Sequence, residues 1–382
     1  MATASTAYGQ IDRTVVNKGD SVEIVAIDSS PIKVPQVPVL PAGLSVHEVV
    51  QRYIESFRQP EKDALVERLG VTKPRDIRDL QALLNLYDRE DPYPRQQIER
   101  SLRLLSPSDI ALAPLFRSLI KDPDPKFQLF GVAGAYELRD AAMLQDMETL
   151  ASKRFEKPRP TLAMNPADSA AWHTRFECLR LLAAWDSERP PGDDPKFLSL
   201  LSKQSRQAPP VAGLLAEYYW PLALKDILDW SESKDPSDQE RSRFAWEADV
   251  PPASLRETSG TLRAVLFDRR KRMETRHQAA LRLGLSADEA GVERLLEDHE
   301  KEKDEKARLL IKTALFASRS PRIAPLLKEY ARTDPAASNR AGALLQLGEM
   351  LPRAEFRALL EEVLNNDKDE ENRAWARQEL SR

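Results

Sequence analysis

Four arginines set the scale of this chain. Arg276, Arg308, Arg340 and Arg373 stand at intervals of 32, 32 and 33 residues. Around two of them one phrase is spelled twice: residues 275–284 read TRHQAALRLG and residues 339–348 read NRAGALLQLG. Between the arginines lies a second mark: Val292, Leu295 and Leu296, then Ile323, Leu326 and Leu327, then Phe356, Leu359 and Leu360. The i, i+3, i+4 spacing puts each trio on one face of a helix. The unit is therefore two helices in about 32 residues, and a period of that length marks an α-solenoid. One helix pair cannot bury its apolar stripe alone, but stacked neighbours can, so such units come as arrays.

The turns agree with this register. Asp304 stands four residues before Arg308, Asp369 four before Arg373, and Asp334-Pro335 precedes Arg340. An Asp at a helix start accepts hydrogen bonds from the orphan N–H groups there, and Pro is tolerated in the first turn. Ala279 and Ala343 would let neighbouring helices approach closely. Gly284 and Gly348 are expected at helix C-termini, where a left-handed residue is often needed. Gly is scarce, at 13 residues, which suits helices joined by short turns, and most of the 28 Pro fall between periodic segments as punctuation.

The same phrasing occurs in the first half. Residues 113–125, APLFRSLIKDPDP, parallel residues 324–335, APLLKEYARTDP, and a small-residue helix, KFQLFGVAGAYELRD, follows at 126–140. RQQIERSLRLLS, at 95–106, forms the preceding helix. These segments resemble HEAT-type repeats of the armadillo-like superfamily, especially the short bacterial kind also found in phycobilin lyases. The resemblance covers about residues 94–156 and 261–382. It implies a right-handed superhelix of helix pairs, with a stabilising ladder of turn Asp and early-helix Arg. Asp304 with Arg308 and Asp369 with Arg373 fit that ladder, and Arg340 belongs to it, whereas Lys126 replaces the Arg in the early repeat. The family is defined by its scaffold, so the resemblance speaks to fold far more than to activity.

Outside the repeats the chain changes character. Residues 1–43 form an N-terminal arm: a β-branched run, Ser21–Ile27, is followed by Pro31, Pro35, Pro38 and Pro41, which favour an extended path. The arm either trails, packs on its own repeats, or adds a strand to a partner. Helical pattern begins near Ser45, which with Glu48 makes a capping box. The expected organisation is thus an all-α, irregular HEAT-like solenoid: arm 1–43, helical repeats 44–156, an irregular helical centre 157–260, and C-terminal repeats 261–382. The centre reads as helices interrupted by long irregular pieces at 157–168, 186–195 and 230–260, and it holds Trp172, Trp185, Trp220, Trp230 and Trp246. These rings either fill the core where the register is lost or anchor a partner, since Trp and Tyr are favoured interface residues. Tyr218, Tyr219, Trp220 and Trp246 are the partner-contact candidates.

Catalytic signatures are missing from the sequence. His47, His173, His277 and His299 have no zinc-ligand spacing to one another or to the lone Cys178. HExxH, a nucleophile elbow, a P-loop, a dinucleotide fingerprint and an EF-hand loop are also lacking. No cofactor, no metal and no enzymatic activity are expected. One basic cluster, Arg269, Arg270, Lys271 and Arg272 with Arg263 and Arg276 nearby, would meet phosphate or an acidic partner. A net charge of −4 speaks against a dedicated nucleic-acid binder. No apolar run reaches the length of a membrane span, and MATASTAYGQ has neither the basic region nor the apolar core of a signal peptide. The expected compartment is the cytoplasm, or the periplasm or exterior if a leader precedes Met1. The expected function is a non-catalytic scaffold or assembly subunit that binds a protein partner, with oligomeric state open. The rivals are a HEAT-repeat enzyme or accessory, phycobilin-lyase-like or DNA-glycosylase-like by resemblance, and nucleic-acid binding through residues 263–276.

Overall fold

The computed structural model describes residues 40–88, 92–155, 166–189 and 194–382, together with two short strands before them. The chain divides into two compact units, Met1–Ser101 and Leu102–Arg382. In the first, β1 (Val15–Lys18) and β2 (Ser21–Ile24) pair antiparallel, with Val15 opposite Ile24. The extended path expected along Pro31, Pro35 and Pro38 lies outside the described residues. Four helices follow: α1 (Val46–Glu55), α2 (Gln59–Leu69), α3 (Ile77–Tyr87) and α4 (Pro92–Leu102). The capping box is present at α1: Ser45 Oγ accepts from the Glu48 N–H, and the Glu48 carboxylate accepts from the Ser45 N–H at 2.7 Å. Buried Asp79 ties α1 to α3 by accepting the His47 and Arg75 N–H groups at 2.8 and 2.9 Å.

The second unit contains α5 (Ala113–Ile120), α6 (Pro125–Leu138), α7 (Ala141–Ala151), α8 (Pro166–Ser187), α9 (Leu198–Ser205) and α10 (Val211–Glu232). It continues through α11 (Pro236–Glu247), α12 (Pro252–Glu257), α13 (Ser259–Phe267), α14 (Met273–Ser286), α15 (Glu289–Lys301) and α16 (Glu305–Ala317). It ends with α17 (Ala324–Thr333), α18 (Ala337–Met350), α19 (Arg353–Asn366) and α20 (Glu370–Ser381). The described part of the second unit is all-helical, and its helices pack mostly against neighbours in sequence, as a helical repeat requires.

One expectation is corrected in the centre. The stretch 230–260 is not a long irregular piece; it carries α11, α12 and the start of α13. Its prolines misled the reading because they open helices rather than interrupt them. Pro236 follows the N-cap Asp235, whose side chain accepts from Ser237 N–H, and Pro252 stands in the first turn of α12. A first-turn Pro lacks only an N–H that had no helical partner. Much of the other two pieces, 156–165 and 190–193, lies outside the described residues.

The last eight helices form four sequential pairs, α13/α14, α15/α16, α17/α18 and α19/α20. In each pair the repeat arginine is the fourth residue of the second helix. Arg308, Arg340 and Arg373 each donate to the backbone carbonyl six residues earlier, of Glu302, Asp334 and Asp367, at 2.9, 2.8 and 2.6 Å. Those carbonyls sit at the C-caps of α15, α17 and α19. Helix ends leave carbonyls unpaired and partly negative, so a guanidinium there satisfies both needs. Arg276 donates to Leu266 O at 2.8 Å, ten residues back: its turn (268–272) is longer by two residues than the three-residue turns of the other pairs, and the acceptor lies two residues before the C-cap Asp268, in the last turn of α13.

The Asp–Arg ladder therefore differs from its expected form. Asp304 and Asp369 do not pair with the arginine four residues on. They cap α16 and α20, accepting from Ala307 and Asn372 N–H at 3.0 Å. A bidentate ion pair does cross between repeats, from Arg340 to the Asp367 carboxylate at 2.6 and 2.9 Å. Both side chains are buried, and the guanidinium holds the Asp367 carboxyl down at about 2. Gly284 and Gly348 are likewise not left-handed caps; both lie inside their helices, and the one positive-φ Gly among the described residues is Gly43. A Cβ on Gly284 would stand 2.0 Å from Ala314 O, so this glycine is where α14 and α16 touch backbone to backbone.

Candidate functional site

Among the second helices α14 and α16 pack closely, and single side-chain bonds link α18 to α16 and α20 to α18. Gly284 meets Ala314, Gln346 Nε2 donates to Phe316 O at 2.6 Å, and Asn372 Nδ2 donates to Ala337 O at 3.2 Å. Their buried side is made by residues such as Ala280, Leu283, Ile311, Leu315, Leu344 and Leu347. In residues 261–382 four large hydrophobic side chains are exposed: Met273, Leu285, Leu309 and Leu345, from 42% to 59%. Counted from the repeat arginine they occupy positions −3, +9, +1 and +5. Steps of four on a helix of 3.6 residues per turn keep one side. The two central positions of that side are His277 and Leu281, Leu309 and Thr313, Ala341 and Leu345, and Ala374 and Gln378. None of these eight is Asp, Glu, Lys or Arg, although charged residues make up 31% of the chain.

The first helices of the pairs present a different surface. Lys328 pairs with Glu355, Arg332 holds Glu362 at 2.7 Å, and Arg322 reaches Glu293 at 3.3 Å. Exposed pairs like these add little stability, but they keep that side wet. The uncharged row escaped the sequence reading, although the signal was present: aligning the four arginines and reading every fourth residue outward exposes it.

The aromatic candidates are brought together in the interior. Trp220 is fully buried on α10, its Nε1 donating to Thr258 Oγ1 at 2.8 Å. Trp246 of α11 meets it edge-on at 5.4 Å and donates from Nε1 to Ser231 Oγ at 2.8 Å. Buried Arg282 of α14 lies over the Trp220 ring and donates to the carbonyls of Trp246 and Ala248. Tyr219 is buried too and donates to Asp186 Oδ2 at 2.9 Å; burial and that carboxylate push its hydroxyl pKa up. Tyr218 is half-buried beside Glu217 and Arg180. Pro221 inside α10 removes an N–H, and Tyr219 leaves helical geometry there, so the Tyr-Tyr-Trp run marks a kink. Three of the four rings thus face the core rather than a partner.

The basic cluster is spread over internal partners. Arg263 holds Asp298 at 2.6 Å, Arg269 reaches the helix-capping Asp304 at 2.8 Å, and Arg270 pairs with Asp268 at 3.0 Å. Arg272 donates Nη1 to Ser231 O at 2.9 Å, and its N–H meets the Glu232 carboxylate. Four residues of the cluster, 269–272, are the turn between α13 and α14. Arg272 and Trp246 both line a cleft of about 240 Å³ between α11 and α14. The thiol of Cys178 is buried, donates to Met147 O at 3.2 Å, and has its pKa raised by burial. Among the described residues no group of three His, Cys, Asp or Glu converges as a metal would need, and no helix is long and apolar enough to cross a membrane. No protein-family model matches the chain, and a search of curated proteins finds no match either.

Proposed function

We propose that this chain is a HEAT-like repeat array acting as a non-catalytic protein-interaction scaffold, and that the uncharged row on α14, α16, α18 and α20 is its principal docking face. The recurring arginine, the 32-residue register and the sequential pairing support the repeat reading. The row itself carries the functional reading. Leu285, Leu309 and Leu345 are more than half exposed, on adjacent helices, without a charge at the central positions. Solvent-facing apolar side chains scattered singly need no explanation, but a contiguous row on one face marks an interaction surface. Its occupant is a protein segment with its own apolar side, such as an amphipathic helix lying across the row. The N-terminal arm, residues 1–43, is a second contact in this reading: a two-stranded ladder is marginal alone and offers open edges to another strand.

The test is a pull-down from the native host with three baits: the full chain, the chain lacking residues 1–43, and full-length Leu309→Glu/Leu345→Glu. The scaffold reading expects a stoichiometric protein on the full chain that the double variant loses and the truncated chain holds more weakly. Equal retention by wild type and double variant would overturn the docking face. Retention by none of the three would overturn the scaffold.

A further inference from the structure

His299 stands in the last turn of α15, which packs against α16. Its Nε2 is buried and has no hydrogen-bond partner among the described residues. A buried ring nitrogen is held at less cost as a bare lone pair than as an N–H, because a donor without an acceptor carries its full desolvation penalty. The neutral ring therefore keeps its proton on Nδ1. A second proton must put an N–H at Nε2, where no acceptor waits.

The charges around the ring come from three helices. Arg308 and Lys312 of α16 oppose a protonated imidazole, and Glu329 of α17 and Glu300 of α15 itself favour one. Both carboxylates are exposed, so solvent and salt screen them, whereas Lys312 is half-buried. Both cations are held in place. Arg308 donates to Glu302 O at 2.9 Å, and the Lys312 ammonium lies over the Tyr330 ring at 4.2 Å. Tyr330 of α17 in turn meets Phe316 of α16 edge-on at 5.2 Å, so the cations sit where α15, α16 and α17 join.

We propose that His299 is a pH-sensitive latch on this junction: neutral, it lets the three helices close; protonated, it lacks an acceptor, faces Lys312 and Arg308, and loosens them. Burial first, and the two cations after it, hold the ring's pKa in the closed state below the ordinary histidine value. In an opened junction the ring takes its proton at ~6.5. The closed state is thus fully supported above ~6.5 and loses support as pH falls through that value toward the lower, closed-state pKa. The latch acts inside the array and stands whether or not the uncharged row takes a partner.

The test is hydrogen exchange read by mass spectrometry on the full chain, corrected for the intrinsic pH dependence of exchange. Peptides spanning 290–333 report the junction, and peptides spanning 353–381 are the control. Protection at the junction should fall up to about tenfold between about pH 7.5 and 5.5, the most that one proton taken up at ~6.5 can supply, while the control holds. His299→Gln, which cannot take the proton, should abolish the fall, and Lys312→Met should shrink it. In a histidine-labelled NMR titration the His299 signal, assigned by its loss in His299→Gln, should titrate below ~6.5 and move upward in Lys312→Met. No fall in the wild type, an equal fall in His299→Gln, or a His299 midpoint at or above ~6.5 would each overturn the latch.

Discussion

From α13 to α20 one bond recurs: an arginine in the first turn of the second helix reaches back to the end of the first. From α8 to α12 nothing recurs. Trp220 is held by Thr258, Trp246 by Ser231, and Tyr219 by Asp186, each contact made once. The difference is one of redundancy. In the array each closure has equivalents in the neighbouring pairs, and a weakened one leaves the others in place. In the centre a kinked α10 brings two indoles and a guanidinium into one buried knot, where Ser231, Thr258 and Arg282 each hold more than one partner and no neighbouring unit repeats the arrangement. Buried polar networks are stabilising when complete and costly when one member is lost.

That contrast predicts its own ranking. The largest effect belongs to Trp220→Ala, which empties the centre of the knot and removes the indole N–H from Thr258 Oγ1 and the ring beneath the Arg282 guanidinium. It should cost about 3–5 kcal/mol in urea unfolding. Arg308→Ala, removing the exposed member of the recurring series, should cost about 1 kcal/mol or less. If the two variants cost the same, the distinction between array and knot fails. Asp367→Asn comes next, because it leaves Arg340 buried without its counter-charge; about 3 kcal/mol is expected at neutral pH. The pH dependence sharpens this. The folded pKa of Asp367, about 2, lies below the ordinary ~3.9 of an unfolded Asp, so its contribution is full above ~3.9 and fades as pH falls toward 2. The stability gap between wild type and Asp367→Asn should therefore narrow by roughly 2–3 kcal/mol between pH 6 and pH 2. A gap that stays constant would show that the ion pair is not its source.

Smaller again is Gly284→Ala. The added methyl meets a backbone oxygen rather than a movable side chain, so α14 and α16 must part, at about 1–3 kcal/mol. An unchanged melting temperature would mean the two helices are not held that closely. The smallest effect is expected from Leu309→Glu/Leu345→Glu, within about 0.5 kcal/mol per site, because both side chains already face solvent.

The same contrast explains what could be read from the sequence. The array was legible because its marks repeat: the arginines, the apolar trios and the capping Asp304 and Asp369 all recur at one period. Their bonding was not. Arg308 sits four residues after Asp304, yet its partner is a carbonyl, and a backbone acceptor leaves no trace in residue identity. Gly284 and Gly348 were misread for a related reason, since close helix approach and a left-handed cap both call for Gly. In the centre, Trp220 and Thr258 are joined across 38 positions by geometry that a kink creates, and no period announces it. The docking row was present in the letters but stood out only once the exposed side of each helix was fixed.

The most direct test of the account places a photo-crosslinking residue at Leu309, at Leu345 and, as a control, at exposed Glu329 on the ion-paired side, and irradiates each in the native host. A discrete protein adduct at 309 and 345, absent at 329, is the predicted result. Adducts of equal yield at all three positions, or only at 329, would contradict the claim that the uncharged row is where this chain meets its partner.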